Sequence, residues 1–273
     1  MNLITQNWVQ FSQVDDPIRT EETIFYQLQN VDLGLPLVSL PLAYSINRFG
    51  VDATQRMIDE IEKREKCTKI YVCQHILVSR LNFGENLVFT PHTVESDSFH
   101  FVPHYNPAFQ TKRDFLRFSD RNWNFSFMGD FNTSQIREEI GSKLSGICPV
   151  QQTGKWFFSH DFATQSILKS NYQKLLEDTK FPLCPQGTGP STLRFFETLS
   201  SGGFPVIFND IKLPKDIRKY VISSSIGDIE GGKIMSQLKK FDNNIQEEMI
   251  EMYWSRYSNE KLSLSIIEKV RQA

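Results

Sequence analysis

At 273 residues the chain has room for one large domain or two small ones, and at 40% hydrophobic and 23% charged it has the composition of a soluble globular protein with a sizeable core. A formal net charge of -2 supplies no electrostatic reason to expect nucleic acid as a partner. No apolar run approaches the roughly 18 residues that cross a bilayer, and the first residues, "MNLITQNWVQFSQVDD", lack the basic start and apolar middle of a signal peptide.

Strand-like and helix-like segments alternate along the chain, the pattern of an α/β protein with parallel sheets. In the first half "LPLVSLPLA" reads as a strand, "DATQRMIDEIEKRE" as an amphipathic helix, and "TKIYVCQHI", "NLVFTP" and "FHFVPHYNP" as strands with polar or proline-rich ends. "NPAFQTKRDFLRFSDRNW" has weak periodicity and many charges, which predicts a linker over 106–123 between a first lobe at 1–105 and a second at 124–273. The second series runs "NFSFMGDF" (strand), "TSQIREEIGSKL" (helix), "CPVQQTG" (strand) and "DFATQSILKSNYQKLLEDT" (helix). "KFPLCPQG" and "FPVIF" follow as strands, and helices with apolar residues at helical spacing close the chain. Two consecutive α/β units predict two lobes with a ligand cleft between them. Cys67, Cys73, Cys148 and Cys184 show no CxxC spacing and read as reduced thiols, which fits a cytoplasmic protein.

The most informative stretch is "KFPLCPQGTGPSTLRFFETLSSGGFPVIF". A buried strand ends at a turn containing Gly187 and Gly189, and Pro190 suits the first position of a helix that stops at Gly202 or Gly203. The amino end of such a helix, approached through glycines, favours a phosphate or diphosphate. Arg194 and Glu197, three apart, share a helix face. The arginine is a fork-shaped donor suited to phosphate oxygens, and the carboxylate can accept from the two hydroxyls of a ribose. From spacing alone, a plain strand–turn–helix crossover carrying a surface Arg–Glu ion pair is an equal alternative.

The segment "PLCPQGTGPSTLRFFETLSSGGFPVIFND" resembles the characteristic segment of exostosin-type glycosyltransferases, through Cys184, Pro185, Gly187, Gly189, Ser191, Arg194, Glu197, Gly203, Pro205 and Val206. Upstream, "FSFMGDFNTSQIREEI" is similar to the strand–Gly–loop–Ile-Arg segment of the same family, with Gly129 and Arg137 at the matching places. The resemblance runs from about Asn124 to Leu213, is looser in the C-terminal helices and is faint before Tyr105.

That resemblance implies a GT-B-like fold of two Rossmann-type lobes, the first on the acceptor side and the second binding a nucleotide sugar. It implies transfer, with inversion, from a nucleotide-diphosphate donor such as a UDP-sugar to a carbohydrate acceptor during surface polysaccharide or glycan assembly. Glu197 would take the ribose, Arg194 would lie near the diphosphate with the Gly187–Ser191 turn, and Arg137 is a further diphosphate candidate. No cofactor and no obligatory metal are implied, since enzymes of this architecture use a helix dipole and basic side chains instead. The last helix of such enzymes often crosses back onto the first lobe. The membrane anchor and stem of the animal enzymes are not seen here, which points to a soluble bacterial or viral relative, with a peripheral contact to a membrane-bound assembly complex as a further expectation.

His75, His92, His100 and His104 all fall in the first lobe, and His75, His92 and His104 sit at predicted strand ends, where ligands of open α/β sheets bind. Inverting transfer needs a base to deprotonate the acceptor hydroxyl. "PHTVESD" packs His92, Glu95 and Asp97 after a strand, so His92, then Asp97, then His75 are the candidates, against a purely structural role for each histidine. The same histidines raise a metal-dependent hydrolase as an alternative, although no HxH or HExxH spacing occurs. A non-catalytic nucleotide- or carbohydrate-binding module is the other. "TGKWFFSHD" reads as a loop able to cover a base or a sugar, or as solvated surface.

Overall fold

The computed structural model describes residues 18–92, 99–107, 115–208 and 213–272. They form two compact units, one drawn from Met1–Tyr105 and Arg256–Ala273, the other from Asn106–Ser255. Each is a mixed α/β unit built on parallel strands, as the α/β, GT-B-like expectation requires.

In the first unit, α1 (Thr20–Leu28), α2 (Leu42–Phe49) and α3 (Val51–Arg64) precede a parallel sheet of β1 (Ile70–Val72), β2 (Leu87–Thr90) and β3 (Phe99–Phe101), in that spatial order. Alternation along β1 sends Tyr71 and Cys73 into a core with Ile46, Ile58 and Val88. Ile70 and Val72 go to the opposite core, with Ile24, Leu28 and Phe89. Both faces are therefore covered, the normal condition of a parallel sheet. Leu262 and Ile266 fill the second core, so residues 256 onward belong with this unit rather than with the stretch they follow.

The expected strand "LPLVSLPLA" is mostly absent. Leu37 makes a single parallel bridge to Ile70, and α2 starts directly after Pro41. Prolines at 36 and 41 lack the N–H groups a longer ladder would use.

The second unit contains β4 (Trp123–Gly129), α4 (Gln135–Leu144), β5 (Val150–Gln152), α5 (Phe162–Glu177), β6 (Thr179–Pro182), α6 (Leu193–Ser200), β7 (Val206–Ile207) and β8 (Ile222–Ser223). Its strands pair in parallel as β5-β4-β6 and β7-β8. A bridge between Leu183 and Val206, with Cys184 N–H donating to Val206 C=O at 2.7 Å, joins them into one order, β5-β4-β6-β7-β8. The chain leaves β4 for one edge and returns to β6 on the other side. This reversal of strand order is the topological switch point, where loops diverge and ligands of open α/β sheets sit.

Phe181, Phe204 and Phe241 pack the base of this unit, with Phe204 and Phe241 ring centroids 4.4 Å apart. Arg121 falls in the stretch read as a linker, yet it is only 3% exposed. Its guanidinium donates to the carbonyls of Thr179 (2.8 Å), Leu176 (3.2 Å) and Ser201 (2.6 Å). A cation thus meets the carbonyl ends of both α5 and α6. Gly202, at φ +77, makes the left-handed stop of α6, as its glycines predicted.

Candidate functional site

The residues singled out in the second half converge beyond the carboxyl ends of β4 and β6. β4 ends at Gly129, and β6 runs through Leu183 and Cys184 into the turn that carries Gly187, Gly189 and Ser191. The helix starts three residues later than its sequence suggests: Thr192 is the N-cap, so Pro190 lies in the turn and not at the first helical position. Thr192 makes no side-chain cap.

Arg194 and Glu197 are not a surface ion pair. Arg194 is 9% exposed and Glu197 7% exposed, and no ion pair joins them. The Arg194 guanidinium lies over two aromatic rings, 4.5 Å from the centroid of Phe127 and 4.9 Å from that of Tyr172. Its Nη2 donates to Met128 C=O, and its Nε is buried without a hydrogen-bond partner. Aromatic faces stabilise a cation but leave its N–H donors unsatisfied, so this arginine retains capacity for an acceptor.

Gly129 makes the approach feasible, since a Cβ there would lie 3.0 Å from Arg194 Nη2 and 3.1 Å from Phe127 Cζ. Arg137, on α4, reaches the same crevice from the other strand loop. Its Nε donates to Gln186 C=O at 3.1 Å and its Nη2 to Pro185 C=O at 3.4 Å, while Ser134 Oγ donates to Gln186 C=O at 2.8 Å. Arg137 therefore braces the glycine turn. A Cβ on Gly187 would fall 2.9 Å from its Nη2. Burial lowers the Arg137 pKa to about 10, and the Arg194 charge pushes it the same way. Buried Arg194 and partly buried Arg137 repel each other here, and among the described residues neither forms an ion pair, which is the electrostatic condition of an anion site.

Glu197 accepts a 2.5 Å hydrogen bond from the Tyr172 hydroxyl. Burial raises its pKa, against the Tyr172 hydrogen bond and the charges of Arg194 and Lys169. Cys184 is a buried thiol beside Thr198 Oγ1 at 3.3 Å, and burial pushes it up to about 12, so it packs rather than reacts. Phe127 and Tyr172 went unnoticed in the sequence. The strand alternation of "FSFMG" marks Phe127 as inward-facing, but nothing local ties Tyr172, on another helix, to Glu197.

In the first unit His75, His92 and His104 do follow the carboxyl ends of β1, β2 and β3. His75 is engaged at both nitrogens: Nδ1 accepts from Leu77 N–H at 3.0 Å, which leaves Nε2 to donate to Asn47 Oδ1 at 3.0 Å. His92 is 5% exposed; its Nε2 lies 2.8 Å from Gln74 C=O and therefore carries the proton. Its ring packs edge-on against His104, centroids 5.1 Å apart. Burial lowers the His92 pKa to about 4 and puts that of His104 well below its ordinary value. Both rings are neutral at pH 7. Asp97 and Glu95 lie outside the described residues. His100 and His104 are four residues apart, on extended chain rather than a helix. Among the described residues no group of three or more His, Cys, Asp or Glu side chains could hold a metal ion.

The loop "TGKWFFSHD" leaves β5 at the same sheet end as Gly129, with Thr153 N–H donating to Gly129 C=O at 3.1 Å. Asp161 caps α5 by accepting from Thr164 N–H at 3.0 Å. Trp156 remains half exposed. No helix among the described residues is long and apolar enough to cross a membrane.

No curated protein sequence matches the chain significantly. Among solved structures, a GtfA/B complex superposes with a TM-score of 0.42 at 8% identity, covering 93% of this chain and 61% of that one. A TarM mutant from S. aureus, crystallised with fondaparinux, alpha-GlcNAc-glycerol and UDP, superposes at 0.40 with 12% identity, covering 91% of this chain and 58% of that one. The chain thus spans about three fifths of the length of these solved chains. The profile of the Exostosin GT47 domain matches residues 60–240, which takes in the β4 end, the glycine turn and the Arg194–Glu197 helix. The chain belongs to the exostosin GT47 family.

Proposed function

We propose that the chain is a glycosyltransferase whose second unit binds a nucleotide-diphosphate sugar, UDP-linked in the simplest case. The observation that carries this reading is the pair of guanidiniums, buried Arg194 and partly buried Arg137, meeting near Gly129 and Gly187 at the switch point of the sheet, with no ion pair to either among the described residues. Family membership supports the reaction class. Arg194 has donors left for phosphate oxygens. Arg137 holds the Gly187–Ser191 turn and adds positive potential. Glu197, one helical turn beyond Arg194, supplies the acceptor for the ribose hydroxyls.

In the proposed chemistry an acceptor hydroxyl attacks C1 of the donor sugar. The C1–O bond to the diphosphate breaks, the anomeric configuration inverts, and the nucleoside diphosphate leaves with its charge met by the two arginines. The proton of the attacking hydroxyl goes to a base, for which Asp97 and His92 are the proposed candidates. His92 is in the neutral form that accepts a proton, although burial lowers its pKa to about 4 and so weakens it as a base. No metal is assigned a role in leaving-group stabilisation. A carbohydrate acceptor in polysaccharide or glycan assembly, and contact with a membrane-bound assembly complex, complete the proposal.

A thermal-shift screen of nucleotide sugars, followed by NMR of the anomeric proton of the product in the presence of EDTA, tests it. Stabilisation by one nucleotide family and an inverted linkage formed in EDTA are expected. A protein that no nucleotide or nucleotide sugar stabilises would refute the reading.

A further inference from the structure

Tyr172 covers both members of the Arg194–Glu197 pair. Its hydroxyl supplies the one hydrogen bond that the Glu197 carboxylate makes among the described residues, and its ring covers one face of the Arg194 guanidinium, whose Nε is buried without a partner. Glu197 is 7% exposed, so in this arrangement its carboxylate is closed to a ligand.

We propose that Tyr172 is a gate whose hydroxyl stands where a sugar hydroxyl of the nucleotide binds, so that its rotation off Glu197 admits the pentose and uncovers Arg194 in one movement. The proposal rests on the nucleotide reading of this site and deepens it.

Three physical points carry it. A buried carboxylate without a donor is costly, so Glu197 needs a hydroxyl in either arrangement. Exchanging the phenol of Tyr172 for a sugar hydroxyl keeps one O–H donor on the same oxygen and costs little in hydrogen bonding. Arg194 stays over the Phe127 ring throughout, so the cation keeps one aromatic support while the other is withdrawn. The gate also confers selectivity. A ligand with phosphates but no suitably placed hydroxyl offers Glu197 nothing in exchange, and the tyrosine stays.

The test is calorimetry on the full chain with UDP, GDP and inorganic pyrophosphate, comparing wild type with Tyr172→Phe. The phenylalanine ring retains the stack on Arg194 and loses only the competing hydroxyl. The variant is expected to bind the preferred nucleotide about tenfold more tightly. Equal or weaker nucleotide binding by the variant would overturn the gate. In parallel, 3-fluorotyrosine placed at position 172 should shift its 19F resonance on adding the nucleotide and not on adding pyrophosphate. A resonance that ignores the nucleotide would overturn the gate even where the phenylalanine variant folds poorly. Failure of the underlying site looks different: Arg194→Ala would then bind both nucleotide and pyrophosphate as wild type does.

Discussion

Replacing Arg194 by alanine separates its role in binding from its role in the fold. In the folded chain the guanidinium stacks on Phe127 and Tyr172 and donates to Met128 C=O, while Nε is buried with no acceptor. Two cation–π contacts contribute about 0.5–2 kcal/mol each. The unsatisfied donor costs about 1–3 kcal/mol in the opposite direction. The two largely cancel, so Arg194→Ala should remain folded, with stability within about 2 kcal/mol of wild type. Binding has no such cancellation. A charge-assisted hydrogen bond to phosphate is worth about 1.5–3 kcal/mol, so affinity for a nucleoside diphosphate should fall roughly ten- to 150-fold. Arg194→Lys keeps the charge but loses the planar fork and its stacking, and should fall between the two. Calorimetry with UDP, GDP and the free nucleosides reads this directly, with urea unfolding as the control. Nucleoside affinity should barely change. Unaltered diphosphate affinity in a folded Arg194→Ala protein would refute the claim that this cation faces the ligand.

Gly129→Ala places a methyl 3.0 Å from Arg194 Nη2, so it should displace that guanidinium and weaken nucleotide binding several-fold with little change in Tm; intact affinity would show that the arginine has slack. Glu197→Ala should cost nucleoside diphosphate binding about 1.5–3 kcal/mol while sparing pyrophosphate, as measured by the same titrations. His92 titrates near 4 in the fold against 6.5 ordinarily, so the unfolded chain takes up the proton first. Stability is therefore full above pH 6.5 and should decline as the pH falls towards 4, by about 3 kcal/mol in total, with His104 acting in the same direction. Urea titrations across that range should show a shallower slope for His92→Gln, and an unchanged slope would contradict the burial argument. Arg121→Ala strips the carbonyls of Leu176, Thr179 and Ser201 of their shared donor and should cost roughly 3 kcal/mol or more in the same unfolding assay, whatever its effect on ligands.

Much of this protein is legible in its residues because the signals are local. The near-continuous apolar run in "KIYVC" marks a strand buried on both faces, and apolar spacing in "DATQRMIDEIEKRE" marks α3. The punctuation of "CPQGTGPSTLRFFETLSSGG" puts a turn, a short helix and a left-handed glycine stop nearly where they occur. Because a strand, its turn and the following helix are contiguous, one short motif suffices to bring Gly187, Arg194 and Glu197 together.

What local pattern could not convey is the surroundings of those residues. Spacing gives the face of a helix but not what covers it, so an Arg–Glu pair three apart reads equally as solvated or buried. Only tertiary packing puts Tyr172 of α5 on Glu197 of α6 and sets Arg194 over two rings. The same limit explains Arg121, which looks like a linker charge until the ends of α5 and α6 meet around it. It also explains His92, whose depressed pKa comes from burial beside His104. Residue order determined the elements and the family motif. The long-range approach of chain segments decided which charges lost their water, and desolvation is what turns an arginine and a glutamate into a binding site.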